Sequence, residues 1–179
     1  MFDEDAKLTA RELDLTLTTR DRGKPKEEQT PMCGVPYHSV DSYIARLVQK
    51  GYKVAICEQM EDPATAKGLV QREITRIITP GTVTESCMLD ESKNNYIGCI
   101  YGESGKFGLA FCDVSTGAFF TTVCSDAQNV ASELGRFAPS EILRYGSNVD
   151  CEVIEDAVFR RLSCCVSEGK QELFVLESA

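Results

Sequence analysis

The chain has 179 residues, of which 42% are hydrophobic and 26% charged, and its formal net charge is −9. This balance is typical of one globular domain or two small ones, and the negative charge excludes a chain that coats nucleic acid by charge alone. No apolar run reaches the ~18 residues that a membrane-spanning helix needs, and no basic-then-apolar start indicates a secretory signal. The sequence therefore predicts a cytoplasmic protein without a membrane partner.

The charge is divided unevenly along the chain. Residues 1–82 hold 12 basic and 13 acidic side chains, whereas residues 83–179 hold 7 and 15. This asymmetry predicts two units with different partners: a near-neutral one with local basic clusters, and an acidic one.

Hydrophobic spacing predicts alternating helices and strands in the first half of the chain. The predicted helices lie at 2–14, after Ser39 as a possible cap, and from Asp62 with Pro63 at the first helical position. The predicted strands lie at 15–19, 53–57 and 72–79. The order α, β, α, β, α, β is typical of a layered α/β domain.

The second half begins with three β runs at short spacing, which predict an antiparallel meander. These runs lie at 96–101, 107–113 and 117–124. Asp126 is then expected to cap a helix, followed by a strand at 141–145 and a helix at 151–162. The segment after Leu162 is short and its structure is left open.

Motifs for cofactor-dependent chemistry are missing from the sequence. It contains neither the glycine-rich loop of P-loop ATPases nor a G-x-G-x-x-G motif after a strand. His38 is the single histidine, and the nine cysteines include no C-x-x-C pair that would indicate zinc. We interpret the cysteines as small core residues of a reducing compartment. The sequence predicts no cofactor, no metal and no enzymatic activity.

Five motifs in the first half stand in one order that indicates a known family. They are PMCGVPYH at 31–38, DSYIARLV at 41–48, GYKVAICEQ at 51–59, DPATAKG at 62–68 and REITRIITPGT at 72–82. This set resembles the amino-terminal domain of MutS, a family of bacterial DNA mismatch recognition proteins. From about Asn95 to Arg161 the chain resembles, more loosely, the first part of the MutS connector domain, through 107–117, Glu133-Leu134 and 139–143.

The resemblance implies a mixed α/β mismatch-reading domain at 1–82, a linker at 83–94 and a partial RNase H-like connector domain at 95–179. It implies mismatched double-stranded DNA as a partner, together with the other domains of a longer parent chain and a downstream repair partner. The parent is expected to be a homodimer of the bacterial cytoplasm, associated with the nucleoid during repair. The family's lever, clamp and ATPase domains are not expected in this chain, so ATP binding belongs to the parent.

In this family a Phe-x-Glu segment inserts its phenylalanine beside the mispaired base and kinks the duplex. That segment comes just before a Met-Phe-x-x-Asp-Ala segment, which here is Met1 to Ala6. By this register the wedge is expected to fall upstream of Met1 and to be absent. Phe2-Asp-Glu4 also reads Phe-x-Glu, but the register places Phe2 in the following helix, where we expect it to pack in the core.

The candidate residues for DNA contact are Arg20, Met32, Lys67, Arg72 and Arg76. Arg20 ends a strand and begins a basic loop that also holds Arg22, Lys24 and Lys26; flexible loop cations suit phosphates, and the alternative is a solvated loop neutralised by acidic neighbours. Arg72 and Arg76 share one face of a predicted strand and suit a DNA backbone, unless they form an ordinary exposed face paired with Glu73. Met32, in a loop stiffened by prolines, could press on the minor groove or fill the core.

Two further hypotheses compete with DNA binding. The acidic half could be a partner-docking module that never holds DNA by itself. A less favoured alternative is an RNase H-like nuclease with a two-metal site at Asp113, working with Glu141, Asp150 or Asp156. The Asp113 segment also reads as the polar turn at the end of a strand.

Overall fold

The computed structural model describes residues 1–23, 25–62, 68, 70–90, 92–149, 151–162 and 164–174. Lys24, Lys67, Asp150 and most of the helix predicted from Asp62 lie outside these residues. The chain separates into two compact units, Met1–Thr75 and Arg76–Ala179. The division after Thr82 stays a prediction. None of the helices in the described ranges has the length and apolarity to cross a membrane.

Both units combine helices with strands, so the predicted mixed α/β fold is confirmed. The helices are α1 (Asp3–Leu13), α2 (Val40–Gln49), α3 (Ala127–Phe137) and α4 (Glu152–Glu155), which continues as a π-helical segment, Asp156–Leu162. The strands are β1 (Thr18–Thr19), β2 (Pro31–Met32), β3 (Val54–Gln59), β4 (Arg72–Ile78), β5 (Tyr96–Glu103), β6 (Lys106–Asp113), β7 (Ala118–Cys124), β8 (Glu141–Gly146) and β9 (Cys165–Glu168). Single 3₁₀ turns lie at Lys26–Glu28, Tyr37–Ser39, Ser86–Met88 and Gln171–Phe174.

The first unit contains α1, α2, the small sheet β1–β2, and β3 with the first part of β4, residues 72–75. The buried side chains of the helices recur at intervals of three and four residues, as on one helical face: Ala6, Thr9, Leu13, Ile44, Leu47 and Val48. Lys50 joins the two helices, since its Nζ donates to the carbonyl oxygen of Glu12 at 2.8 Å and to Oε2 of Glu12 at 2.9 Å. The unit is therefore built around the helix pair, and its strands lie at the surface.

Three helix caps were predicted, of which the one at Asp62 belongs to a helix outside the described residues, and the other two have different outcomes. Asp126 caps α3 as expected, because its Oδ1 accepts a hydrogen bond from the Asn129 amide at 2.8 Å. The prediction for Ser39 is wrong, because its hydroxyl donates to the carbonyl oxygen of Pro36 at 3.2 Å instead of accepting from α2. Ser39 closes the preceding 3₁₀ turn with φ −115° and ψ 6°, and this backbone is not the extended one that a cap adopts.

The second unit is a five-stranded sheet in the order β7-β6-β5-β8-β9. Strands β5, β6 and β7 form the predicted antiparallel meander, and β8 and β9 run parallel to β5. Helix α3 and the π-helical segment cover one face, where Ile100, Phe111, Leu134, Ile142 and Ile154 form the core. Strand β9 lies in the segment whose structure the sequence left open.

Asp113 is buried at the end of β6, with 1% of its surface exposed. Its Oδ1 accepts hydrogen bonds from the Ser115 amide at 2.9 Å, the Ser115 hydroxyl at 2.7 Å and the Thr116 amide at 3.3 Å. Burial raises the pKa of this carboxyl, but the bonds from Ser115 and Thr116 outweigh burial and the pKa is lowered from 3.8. The charged carboxylate therefore stabilises the turn between β6 and β7.

Replacing Asp113 with asparagine is expected to lower the free energy of unfolding at pH 7 and to reduce its dependence on acid. A carboxyl whose pKa is lowered by folding adds stability above its unfolded pKa of about 3.9, and this stability is lost as the pH falls through the folded pKa. The difference between the wild type and Asp113→Asn should therefore shrink below about pH 4. Urea unfolding between pH 7 and pH 3 measures it, and a difference that is constant with pH would contradict the assignment.

Candidate nucleic-acid interface

A small sheet in the first unit brings together Phe2, Met32 and Arg20, which the sequence singled out. Thr18 of β1 pairs with Met32 of β2, and Phe2 forms a bridge with Met32 from the other side. The amide of Cys33 donates to the carbonyl oxygen of Met1 at 3.2 Å and extends this third line of pairing. Met32 therefore lies in the middle of the sheet, between Phe2 and β1.

Phe2 does not occupy the position expected for it. It precedes α1 with extended backbone, φ −133° and ψ 162°, and 47% of its surface is exposed. The expected core packing is therefore wrong. The bridge to Met32 draws Phe2 out of the helix, because a residue paired in a sheet cannot keep helical backbone angles. Phe2 and the half-buried Met32 form an apolar pair at the surface.

Arginines lie at the end of this sheet where β1 leaves it. The amide of Arg20 donates to the carbonyl oxygen of Thr30 at 3.3 Å, so its backbone continues the pairing while the side chain is exposed. Arg22 bends back, and its Nη2 donates to the hydroxyl of Thr18 at 3.2 Å. The sheet thus places two cations close to the apolar pair in sequence and in pairing register.

Strand β4 carries the other two described candidates. Arg72 and Arg76 are exposed, and so is Ile74 between them, at 62%. In the described part of the chain, the guanidinium of Arg72 makes one hydrogen bond, to the carbonyl oxygen of Val70 at 3.4 Å. The strand is pinned in the first unit by the hydroxyl of Thr75, which donates to the carbonyl oxygen of Ile56 at 3.4 Å.

Arg76 is held by two oxygens of the segment that follows β4. Its Nη1 forms an ion pair with Oε1 of Glu85, and its Nη2 donates to the hydroxyl of Thr84 at 3.2 Å. Among the described residues, Arg76 does not form the pairing with Glu73 that the sequence left open, and Glu73 instead accepts from Gln71 Nε2 at 3.1 Å. The hydrogen bond from Arg76 lowers the pKa of Glu85.

Glu85 and Thr84 are the residues of this surface that sequence reasoning missed. They stand in a polar stretch without periodicity, so nothing in their spacing indicates that they face Arg76. Their position becomes visible only when the turn at 79–82 folds the chain back on itself.

The carboxylates of the nuclease hypothesis that lie in the described part of the chain, Asp113, Glu141 and Asp156, have protein partners. Glu141 is 2% exposed and accepts from the hydroxyl of Thr79 and from the Gly81 amide at 3.2 Å. Asp156 pairs with Arg160 and Arg161. Among the described residues, no three His, Cys, Asp or Glu side chains come together as metal ligands. The geometry therefore gives the nuclease hypothesis no support.

Comparison with known proteins agrees with the resemblance found in the sequence. Residues 1–87 match the family model of MutS domain I, and residues 95–179 match that of MutS domain II. Similar curated proteins are the DNA mismatch repair proteins MutS of Acetivibrio thermocellus, 48% identical over 99% of the chain, and of Clostridium tetani, 46% identical over 97%. The chain spans about a fifth of their length, 20% and 19%.

Proposed function

Because this chain belongs to the MutS family and carries its domains I and II, neither of which is the ATPase domain, we propose that it holds duplex DNA at mispairs. The observation that carries the proposal is the small sheet of the first unit, where Phe2 pairs with Met32 beside the exposed Arg20. An apolar pair flanked by cations suits a kinked minor groove, since the apolar side chains press on unstacked bases while the cations bind phosphates.

Strand β4 supplies a second line of phosphate contacts in this proposal. Arg72 and Arg76 project from a strand whose first six residues are all exposed. Lys67, the other candidate from this part of the sequence, lies outside the described residues. Phosphate contacts of this kind position a duplex without reading its sequence.

The second unit is proposed to serve as a connector within a longer parent. Its acidic balance, 7 basic against 15 acidic residues after Thr82, favours docking to protein domains over holding phosphate. We propose that this parent forms a homodimer, binds a downstream repair partner and works at the nucleoid. This role accounts for the charge asymmetry between the two halves of the chain.

The test is a titration of the whole chain with a fully paired duplex and with the same duplex carrying one G·T mispair, at two salt concentrations. Arg72→Ala is expected to weaken binding to both duplexes equally and to reduce the slope of log Kd against log salt by about 0.9, the value for one phosphate contact. Phe2→Ala is expected to abolish any preference for the mispair. Its effect should be absent on the paired duplex.

The matched control is Arg160→Ala, which removes an exposed arginine of the π-helical segment and changes net charge by the same amount. It should leave both affinities unchanged. Wild-type affinity that does not vary with salt would contradict phosphate binding by this surface. A mispair preference that survives in Phe2→Ala would show that Phe2 is not the discriminating side chain.

A further inference from the structure

Arg76 is a proposed phosphate ligand whose guanidinium already binds a carboxylate of its own chain. The ion pair with Glu85 and the bond to the Thr84 hydroxyl use both terminal nitrogens of the guanidinium. These are the nitrogens that a phosphate would bind in a bidentate contact. Each terminal nitrogen carries two N–H groups, so a duplex phosphate competes with Glu85 for Nη1 and is not excluded outright.

The pair stands at the surface, where such exchange is inexpensive. The side chain of Arg76 is 40% exposed and that of Glu85 is 25% exposed. Exposed and half-exposed ion pairs contribute little net free energy, because water screens them and restores the hydration of the separated ions. A polyanion brought close to Arg76 also repels the Glu85 carboxylate directly. Exchange of the carboxylate for a phosphate therefore costs little free energy.

Glu85 lies in the segment between β4 and β5, and its contact with Arg76 helps to hold the backbone of that segment. It precedes the 3₁₀ turn Ser86–Met88, and its second oxygen, Oε2, accepts from the Thr84 amide at 3.4 Å. The segment comes directly after the turn at 79–82 and before β5. Release of Glu85 would therefore loosen the stretch of chain that enters the second unit's sheet.

We propose that Glu85 is an internal competitor of DNA, which occupies Arg76 in the free protein and is displaced when a duplex phosphate binds. This inference rests on the proposed function, and it adds a residue that sets the affinity of that surface. Displacement of the Glu85 carboxylate thereby couples DNA binding to the conformation of residues 84–88. Loss of the Arg76 contact also returns the pKa of Glu85 toward its ordinary value.

The experiment measures Kd of the whole chain for a fully paired duplex at two salt concentrations. Glu85→Gln is expected to tighten binding about two- to fivefold, the size of a half-exposed ion pair, and to steepen the slope of log Kd against log salt. In an Arg76→Ala background the same change should have a markedly smaller effect. Carbon-13 NMR of the glutamate carboxyls should show the pKa of Glu85 rising when saturating duplex is added.

The matched control is Glu73→Gln, which removes the same charge from β4 without touching Arg76. Equal gains in Glu73→Gln and Glu85→Gln, or equal effects of Glu85→Gln with and without Arg76, would overturn the proposal. Weaker binding by Glu85→Gln would overturn it too, since Glu85 would then orient Arg76 toward DNA. If neither the wild type nor Glu85→Gln binds a duplex, the proposed function fails as well. If only Glu85→Gln binds, the competition is confirmed in its strongest form.

Discussion

Replacing Glu141 with alanine is expected to destabilise the second unit by about 3–5 kcal/mol, since each buried donor left without an acceptor costs about 1–3 kcal/mol. The carboxylate accepts from the Thr79 hydroxyl, from the Gly81 amide at 3.2 Å and from the Ser167 hydroxyl at 3.4 Å. It therefore ties the turn that follows β4 to the start of β8 and to β9. No water can replace it easily, because only 2% of Glu141 is exposed.

Urea unfolding followed by circular dichroism measures this loss, and hydrogen exchange of the Gly81 amide locates it. Glu141→Gln keeps one carbonyl oxygen as an acceptor, so its loss should be clearly smaller than that of Glu141→Ala. Glu152→Ala, at an exposed position of α4, is the control for removing a carboxylate and should change stability by less than about 0.5 kcal/mol. Equal effects of Glu141→Ala and Glu152→Ala would show that the buried bonds do not stabilise the unit.

The hydrogen bonds of Glu141 hold the segment that directly follows β4. Thr79 comes directly after β4, and Arg76 lies near the end of that strand. Glu141 thus holds the chain that leaves β4 against the sheet of the second unit. Loss of the Glu141 carboxylate is therefore expected to loosen the residues that follow Arg76.

Replacing Gly146 with alanine is expected to cost more than about 3 kcal/mol or to prevent folding of the second unit. Gly146 has φ +104°, a conformation that side chains of L residues rarely adopt, and an added Cβ would lie 2.1 Å from the carbonyl oxygen of Gly102. Gly102 is its partner in the pairing of β5 with β8. The two strands could keep their register only by moving apart at this point.

Two other glycines distinguish the cost of the backbone conformation from the cost of the steric clash. Gly105 has φ +76° but open space around its Cβ position, so Gly105→Ala should show the backbone cost alone, about 1–2 kcal/mol. Gly108 has ordinary backbone and no atom closer than 4.0 Å, so Gly108→Ala should be nearly neutral. Soluble yield and the midpoint of thermal unfolding rank the three variants. Gly146→Ala as stable as Gly105→Ala would contradict the close approach of the two strands.

Local patterns in the sequence predicted most of the secondary structure. The meander of β5, β6 and β7 was predicted because apolar alternation and glycine turns are properties of neighbouring residues. The Asp126 cap was predicted for the same reason, since donor and acceptor stand three residues apart. The family was indicated by motifs that are also local, and both family models then matched.

Apart from the Ser39 cap, the features that sequence reasoning missed depend on contacts between different segments of the chain. Phe2 is exposed because Met32 pairs with it, and Arg76 is occupied because a turn brings Glu85 back to it. The buried Glu141 accepts a hydrogen bond from the hydroxyl of Thr79, which lies 62 residues earlier in the chain. Local residue patterns thus predicted most of the helices and strands and the family, whereas β2 and β9 were not predicted. Tertiary structure decided which side chains stay available at the surface, because burial and hydrogen-bond partners are set by packing between segments and not by spacing within them.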